Sequence, residues 1–191
     1  SADVWLQDRI FVLDQLQQGR VPEVLGKIVA ASDFARTGQM GMSFGGSTTG
    51  AFCMVDARCA AGINLDGGDF HFQPFGVNMP VPFMMFYSDF SNMLEWFGGD
   101  ENSVLRGDND FSYERPETSG LRDDVYRLMV KNVKHSGVSD FTLFMRNPVR
   151  GMLVGSIDPA VMLPIQNDFV RGFFDKHLLG VDNDFPTEQY R

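Results

Sequence analysis

The apolar positions of this chain fall into short runs and helical stripes, separated by polar and glycine-bearing segments. Over residues 1–18, Val4, Trp5, Ile10, Phe11, Leu13 and Leu16 give a broad apolar face at helical spacing, with Gly19 as a stop. Residues 21–34 keep no single period and read as a short helical piece or a loop after Pro22. Residues 36–41 predict a short strand, and 47–54, small and apolar, a helix packed closely on a sheet. Two further strands, 59–65 and 81–87, are continuous apolar runs of the kind found in a parallel sheet covered on both faces. In a fourth, 124–133, Tyr126, Leu128 and Val130 alternate with polar residues, which places it near an edge. A helix is predicted to begin within 92–97, a long surface loop to occupy 98–120, and an apolar helix to start at about Ser139. The last helix, 164–179, is the clearest. Ile165, Phe169, Val170, Phe173, Phe174 and Leu178 share a face, Pro164 sits near its start and Gly180 stops it. Residues 182–191 read as an acidic tail.

Alternating strands and helices predict one α/β domain, a mostly parallel sheet with helices on both faces and right-handed crossovers. A length of 191 residues suits a single domain or part of a larger one. The 18 phenylalanines and 11 methionines point to a bulky, adaptable core or pocket. A net charge of −9 without a basic cluster argues against a nucleic-acid partner or a polybasic membrane contact. No apolar run approaches the length of a membrane span. The two cysteines, Cys53 and Cys59, form neither a C-x-x-C pair nor part of a metal-ligand cluster. Two buried thiols are the preferred reading. A local disulfide is the alternative, and it would point to an oxidising compartment. The compartment itself is left open: secreted, periplasmic and cytoplasmic locations are all compatible.

Candidate chemistry centres on residues 38–50, where Gly41-Met42-Ser43-Phe44-Gly45 has the G-x-S-x-G pattern of a nucleophile elbow. A serine on a sharp strand-to-helix turn needs small neighbours, so both flanking glycines are expected to relieve clashes. Its hydroxyl then lies at the helix's amino end, where unpaired N–H groups favour negative charge. In an α/β sheet, active residues gather at the carboxyl ends of the strands. Ser43, Asp66, Asp89 and His135 all follow predicted strands. Ser, Asp, His is also the chain order of triads built on a nucleophile elbow.

These residues carry a resemblance. Gly41-Met42-Ser43-Phe44-Gly45-Gly46, Asp56-Ala57-Arg58 and Gly62-Ile63-Asn64-Leu65-Asp66-Gly67 resemble the elbow and following strand of the platelet-activating-factor acetylhydrolase-like α/β-hydrolases. His135 with Asp140-Phe141-Thr142 resembles that family's histidine loop (134–140), residues 11–16 the helix before its elbow strand, and 173–178 its closing helix. Dienelactone-hydrolase-like esterases share the frame. The resemblance implies Ser43 as nucleophile, Asp66 in an acid loop over 66–75, and His135 as base. Asp89 is the alternative acid, because many α/β-hydrolases place it one strand later.

A hydrolase of this type normally has several strands before its elbow, and there is room here for almost none. The chain is therefore expected to be the C-terminal half of the fold, either a fragment or one chain of a cleaved or split enzyme. A second chain or segment would carry the N-terminal half, and the elbow strand would lie at the cut edge. The expected activity is hydrolysis of a small-molecule carboxylic ester, short-chain or lipid-like, through an acyl-enzyme, without metal or organic cofactor. The backbone N–H of Phe44 is expected to hold the oxyanion. Lactone or peptide cleavage on the same frame, or a non-catalytic binding module, are the alternatives. Met42, Phe70, His71 and Phe72 are candidate pocket walls, with Phe75 at the rim. His177 is expected to be solvated and Asp140 to cap the helix after His135.

Overall fold

The computed structural model describes residues 2–68, 78–89, 113 and 122–186. Among these residues the sheet has four strands, β1 (Thr37–Met42), β2 (Cys59–Leu65), β3 (Phe83–Tyr87) and β4 (Val125–Met129), in the order β1-β2-β3-β4. Each pairs in parallel with the next, with Met40 opposite Ile63, Ile63 opposite Met84 and Met84 opposite Tyr126. The helices among the described residues are α1 (Ala2–Gln17), α2 (Gly26–Ala31), α3 (Phe44–Val55), α4 (Phe141–Phe144), α5 (Val149–Leu153) and α6 (Pro159–Leu179).

The continuous apolar runs serve two cores. From β2 and β3, Ala61, Ile63, Leu65, Met84 and Phe86 pack beneath α6 with Phe169 and Phe173. Phe83 and Met85 turn the other way, onto Phe52 of α3 and Leu6 and Leu13 of α1. Successive strand residues point to opposite faces, so covering both faces demands an unbroken apolar sequence. Gly62 lets α3 come close, since an added Cβ would crowd Phe83 and the Cys53 sulfur. β1 and β4 terminate the sheet among the described residues.

Several expectations shift. Residues 21–34 hold a 3-10 turn, Glu23–Leu25, running into α2. β4 is shorter than expected and gives way to a turn in which Asn132 takes φ +66°. The helix expected from Ser139 is two short pieces, α4 and α5, because Pro148 cannot continue the first. Asp140 occupies the N-cap position of α4 but makes no side-chain capping bond. The closing helix starts at Pro159, with Asp158 accepting the N–H of Ala160 as its cap; Pro164 lies inside it. The helix beginning within 92–97 lies outside the described residues, and the loop 98–120 lies outside them except at Tyr113.

The cysteines are joined, which corrects the preferred reading of two thiols. Cys53 lies in the last turn of α3 and Cys59 opens β2, with their Cα atoms 5.0 Å apart, inside the range a disulfide spans. Arg58 fixes the reversal between them by binding Asp56 and Asp14 of α1, each at 2.6 Å. That proximity is produced by the fold and has no signature in the spacing.

His177 is also not solvated as expected. Its ring packs against Phe173 and Tyr126, and its Nε2 lies 3.1 Å from the Tyr126 hydroxyl. Burial pushes its pKa below the ordinary value, and Lys176 pushes the same way, against a smaller opposing pull from Asp124 and Asp123. Because the folded value is the lower one, the unfolded chain takes up the proton first as the pH falls. Stability from neutral His177 is therefore complete above about pH 6.5 and is lost as the pH falls to the depressed folded value. Comparing urea midpoints of wild type and His177→Gln should show the wild-type advantage shrinking between about pH 8 and pH 5. A pH-independent difference would contradict this account.

Candidate active site

Ser43 stands between β1 and α3 with φ +54° and ψ −124°, a conformation that non-glycine residues rarely adopt. Its N–H bonds to the carbonyl of Leu65 at 2.8 Å, and its own carbonyl accepts the N–H groups of Gly46 and Ser47. The turn is therefore strapped to β2 on one side and starts the helix on the other. The glycines divide differently from the expectation. A Cβ on Gly41 would overlap the carbonyl of Gly45, whereas one on Gly45 would meet nothing. Two further positions are as crowded as Gly41: Gly46, against the side chain of Asn64, and Gly67, against the carbonyl of Ser43.

Asp66 follows β2, also at positive φ (+55°), with a side chain only 6% exposed. Its Oδ1 accepts the Ser88 N–H, and its Oδ2 accepts the Ser88 hydroxyl, each at 2.7 Å. Oδ2 also lies 2.6 Å from Nδ1 of His135, the first residue of a 3-10 turn, His135–Val138. The other ring nitrogen, Nε2, is 2.9 Å from the Ser43 hydroxyl oxygen. An ionised carboxylate only accepts, so Nδ1 carries the proton and Nε2 is left to accept from the serine. Hydroxyl, imidazole and carboxylate thus form one hydrogen-bonded chain across residues 92 and 69 apart in sequence.

Asp89, the alternative acid, is not the imidazole's carboxylate partner. It is buried, and its Oδ2 accepts the backbone N–H of Asn132 at 2.7 Å. Met42 and Phe44 are half-buried beside Ser43, and Trp5 of α1 packs edge-on to Phe44 with ring centroids 4.8 Å apart. Phe70, His71, Phe72 and Phe75 lie outside the described residues. A groove of about 780 Å³ runs along β4 and α6, lined by Tyr126, Leu128, Ile165 and Phe169 among others, but none of Ser43, Asp66 and His135 borders it. Among the described residues no group of three or more His, Cys, Asp or Glu could hold a metal ion.

The sequence reading missed several supporting residues. Asn64, buried in β2, donates to the Gly67 carbonyl at 2.9 Å and accepts the Gly67 N–H at 2.7 Å, closing the turn that presents Asp66. Arg9 of α1 donates to Thr49 at 2.7 Å and to the Gly45 carbonyl at 3.4 Å, tying α1 to the first turns of α3. Burial lowers its pKa. A polar residue inside an apolar strand was the available signal for Asn64; Ser88 and Arg9 carried none.

No protein-family model matches the chain. Over 66 residues, 35% of its length, it is 41% identical to a protein of Arthroderma benhamiae named "Probable 1-alkyl-2-acetylglycerophosphocholine esterase", a match spanning 14% of that protein. Ferulic acid esterase from Streptomyces cinnamoneus superposes on 99% of this chain with a TM-score of 0.69 and 23% identity. This chain has an α/β fold that matches about half of that esterase's structure. It spans 53% of the Streptomyces esterase chain, with its sheet flanked by helices as in an α/β fold. The expected fold class and the resemblance to α/β-hydrolase esterases both stand.

The contrast among the elbow glycines is testable. Gly67→Ala sets a methyl group against backbone of the elbow and should cost about 1–3 kcal/mol by urea unfolding. Gly45→Ala meets open space inside a helix and should be neutral or stabilise by up to about 1 kcal/mol. Equal effects would contradict the crowding seen at Gly67.

Proposed function

We propose that this chain supplies the reacting side chains of a serine carboxylic-ester hydrolase. The supporting observation is the chain of hydrogen bonds from Ser43 through His135 to Asp66, at 2.9 and 2.6 Å. In this reading, Nε2 of His135 takes the Ser43 proton as the hydroxyl oxygen attacks the ester carbonyl. Asp66 keeps the ring in the right tautomer and stabilises the imidazolium. The tetrahedral oxyanion accepts from the backbone N–H of Phe44, which opens α3. Collapse expels the alcohol, protonated by His135, and leaves an acyl group on Ser43. Water, activated by the same imidazole, then releases the acid. The substrate class is a short-chain or lipid-like ester, in keeping with a partial relative named for an acetylglycerophosphocholine ester.

The completing half of the fold is part of the same proposal. β1 ends the sheet among the described residues, and Met40 on it is half exposed. On α1, Leu6 and Leu13 are buried while Val4, Trp5, Phe11 and Val12 stand at least half exposed, a second apolar stripe on one helix. Such a helix suits a position between two layers. A polypeptide segment adding a strand along β1 would cover both and supply the second oxyanion donor.

A fluorophosphonate probe should label Ser43 in the complete assembly. Ser43→Ala should abolish labelling and lower p-nitrophenyl acetate hydrolysis by at least about 10³-fold. Intact wild type that takes no label would sink the reading. Residues 1–191 purified alone should turn over at least about 10²-fold more slowly than the assembly, having one oxyanion donor. A stable monomer with full turnover would refute the completing segment.

A further inference from the structure

β3 lies between β2, whose end carries Asp66, and β4, whose following turn leads to His135. The two residues after β3 reach both neighbours. Ser88, fully buried, gives its N–H and its hydroxyl to the two oxygens of Asp66. Asp89, nearly as buried, contacts each of the three residues that precede His135. Its Oδ2 accepts the Asn132 N–H at 2.7 Å. Its own N–H donates to the Val133 carbonyl at 2.6 Å. Its carbonyl accepts the Lys134 ammonium at 2.6 Å.

The opposite side of this segment is held as well. The Asn132 carbonyl accepts the Ser156 N–H at 3.0 Å, and the Lys134 N–H bonds to the Val154 carbonyl at 2.9 Å. Gly155 faces the segment, and a Cβ there would overlap the Asn132 carbonyl. Asn132 takes φ +66°, a region that asparagine enters more readily than most residues, and these bonds hold it there.

The His135 side chain is 45% exposed, so packing does little to fix its ring. Its position depends on the backbone it hangs from and on the two bonds its nitrogens make. We propose that Ser88 and Asp89 are positioning residues for the triad, an inference that rests on the ester-hydrolase reading above. Ser88 presents the acid; Asp89 locks the turn that presents the base. Asp89 acts through the geometry of its acceptor oxygen and not as a charge on the imidazole. One strand end therefore sets both halves of the acid–base pair relative to Ser43.

Two near-isosteric substitutions separate geometry from charge. Asp89→Asn loses the charge but keeps an oxygen in place for the Asn132 N–H. Asp89→Glu keeps the charge but displaces the oxygen. In the complete assembly, Asp89→Glu should lower kcat for p-nitrophenyl acetate by about 10- to 100-fold with KM within about twofold, the cost of a small misplacement. Asp89→Asn should stay within about threefold of wild type. A second readout needs no turnover: the downfield proton NMR signal of the His135 Nδ1–H, identified by its loss in His135→Gln, should persist in Asp89→Asn and broaden away in Asp89→Glu. The reverse ranking would overturn the positioning role and make Asp89 an electrostatic partner; so would two variants indistinguishable from wild type. If wild type hydrolyses no ester, the NMR ranking still decides the role of Asp89, so failure of the ester-hydrolase reading and failure of the positioning role are told apart.

Discussion

A carboxylate withdrawn from water must be met by donors, and Asp66 is met by three. The Ser88 N–H, the Ser88 hydroxyl and the His135 ring share its two oxygens. Removing one of these donors would leave one hydrogen bond to a buried carboxylate unmade, at a cost of about 1–3 kcal/mol. The imidazole is therefore not merely near the acid; it is one of the groups that make this burial tolerable. Much else follows from satisfying that one side chain. β3 must end level with β2, the segment after β4 must fold back, and the ring must stand within reach of the elbow.

The backbone is strained where the site needs it. Ser43 and Asp66 follow adjacent parallel strands and both take positive φ, at a cost of about 1–2 kcal/mol each. Each is held by a bond that extends the ladder beyond the strand, Ser43 N–H to Leu65 and Asp66 N–H to Phe86. Parallel pairing staggers the strand ends so that each residue after a strand is pinned by its neighbour. Close approach completes the arrangement. Gly46 admits the Asn64 side chain, and Gly67 sits against the carbonyl of Ser43. The elbow and the acid turn are thus packed backbone to backbone.

Around this site the two faces of the sheet are unequal. α6 covers one side with a phenylalanine-rich stripe in which Phe173 is fully buried. On the other, α3 lies close and α1 outside it, tied by Arg9 to the first turns of α3 and by Asp14 to Arg58 before β2. α1 is apolar on two sides, and on the second Val4, Phe11 and Val12 remain at least half exposed while Trp5 meets Phe44. β1, at the edge of the sheet among the described residues, lies near α1, where Arg9 reaches Gln39 at 3.5 Å. Both features fit a chain that spans about half of the esterase it superposes on.

Local sequence determined what depends on local period and local sterics. The unbroken apolar runs of β2 and β3 required a sheet covered twice, the stripe from Ile165 to Leu178 required a long helix, and the spacing around Ser43 marked a strand-to-helix turn. Tertiary structure decided what local patterning left open. Asp66 and Asp89 both follow a strand, and only the placement of His135 and Asn132 gave one the ring and the other the turn. Two cysteines six residues apart became a disulfide because the reversal before β2 brings them together. His177 reads as solvated beside its charged neighbours, yet Tyr126, from a strand 51 residues earlier, meets it. For the acid and for His177 the deciding partner is remote along the chain, and for the cysteines the path of the chain between them sets the distance; no local periodicity encodes either.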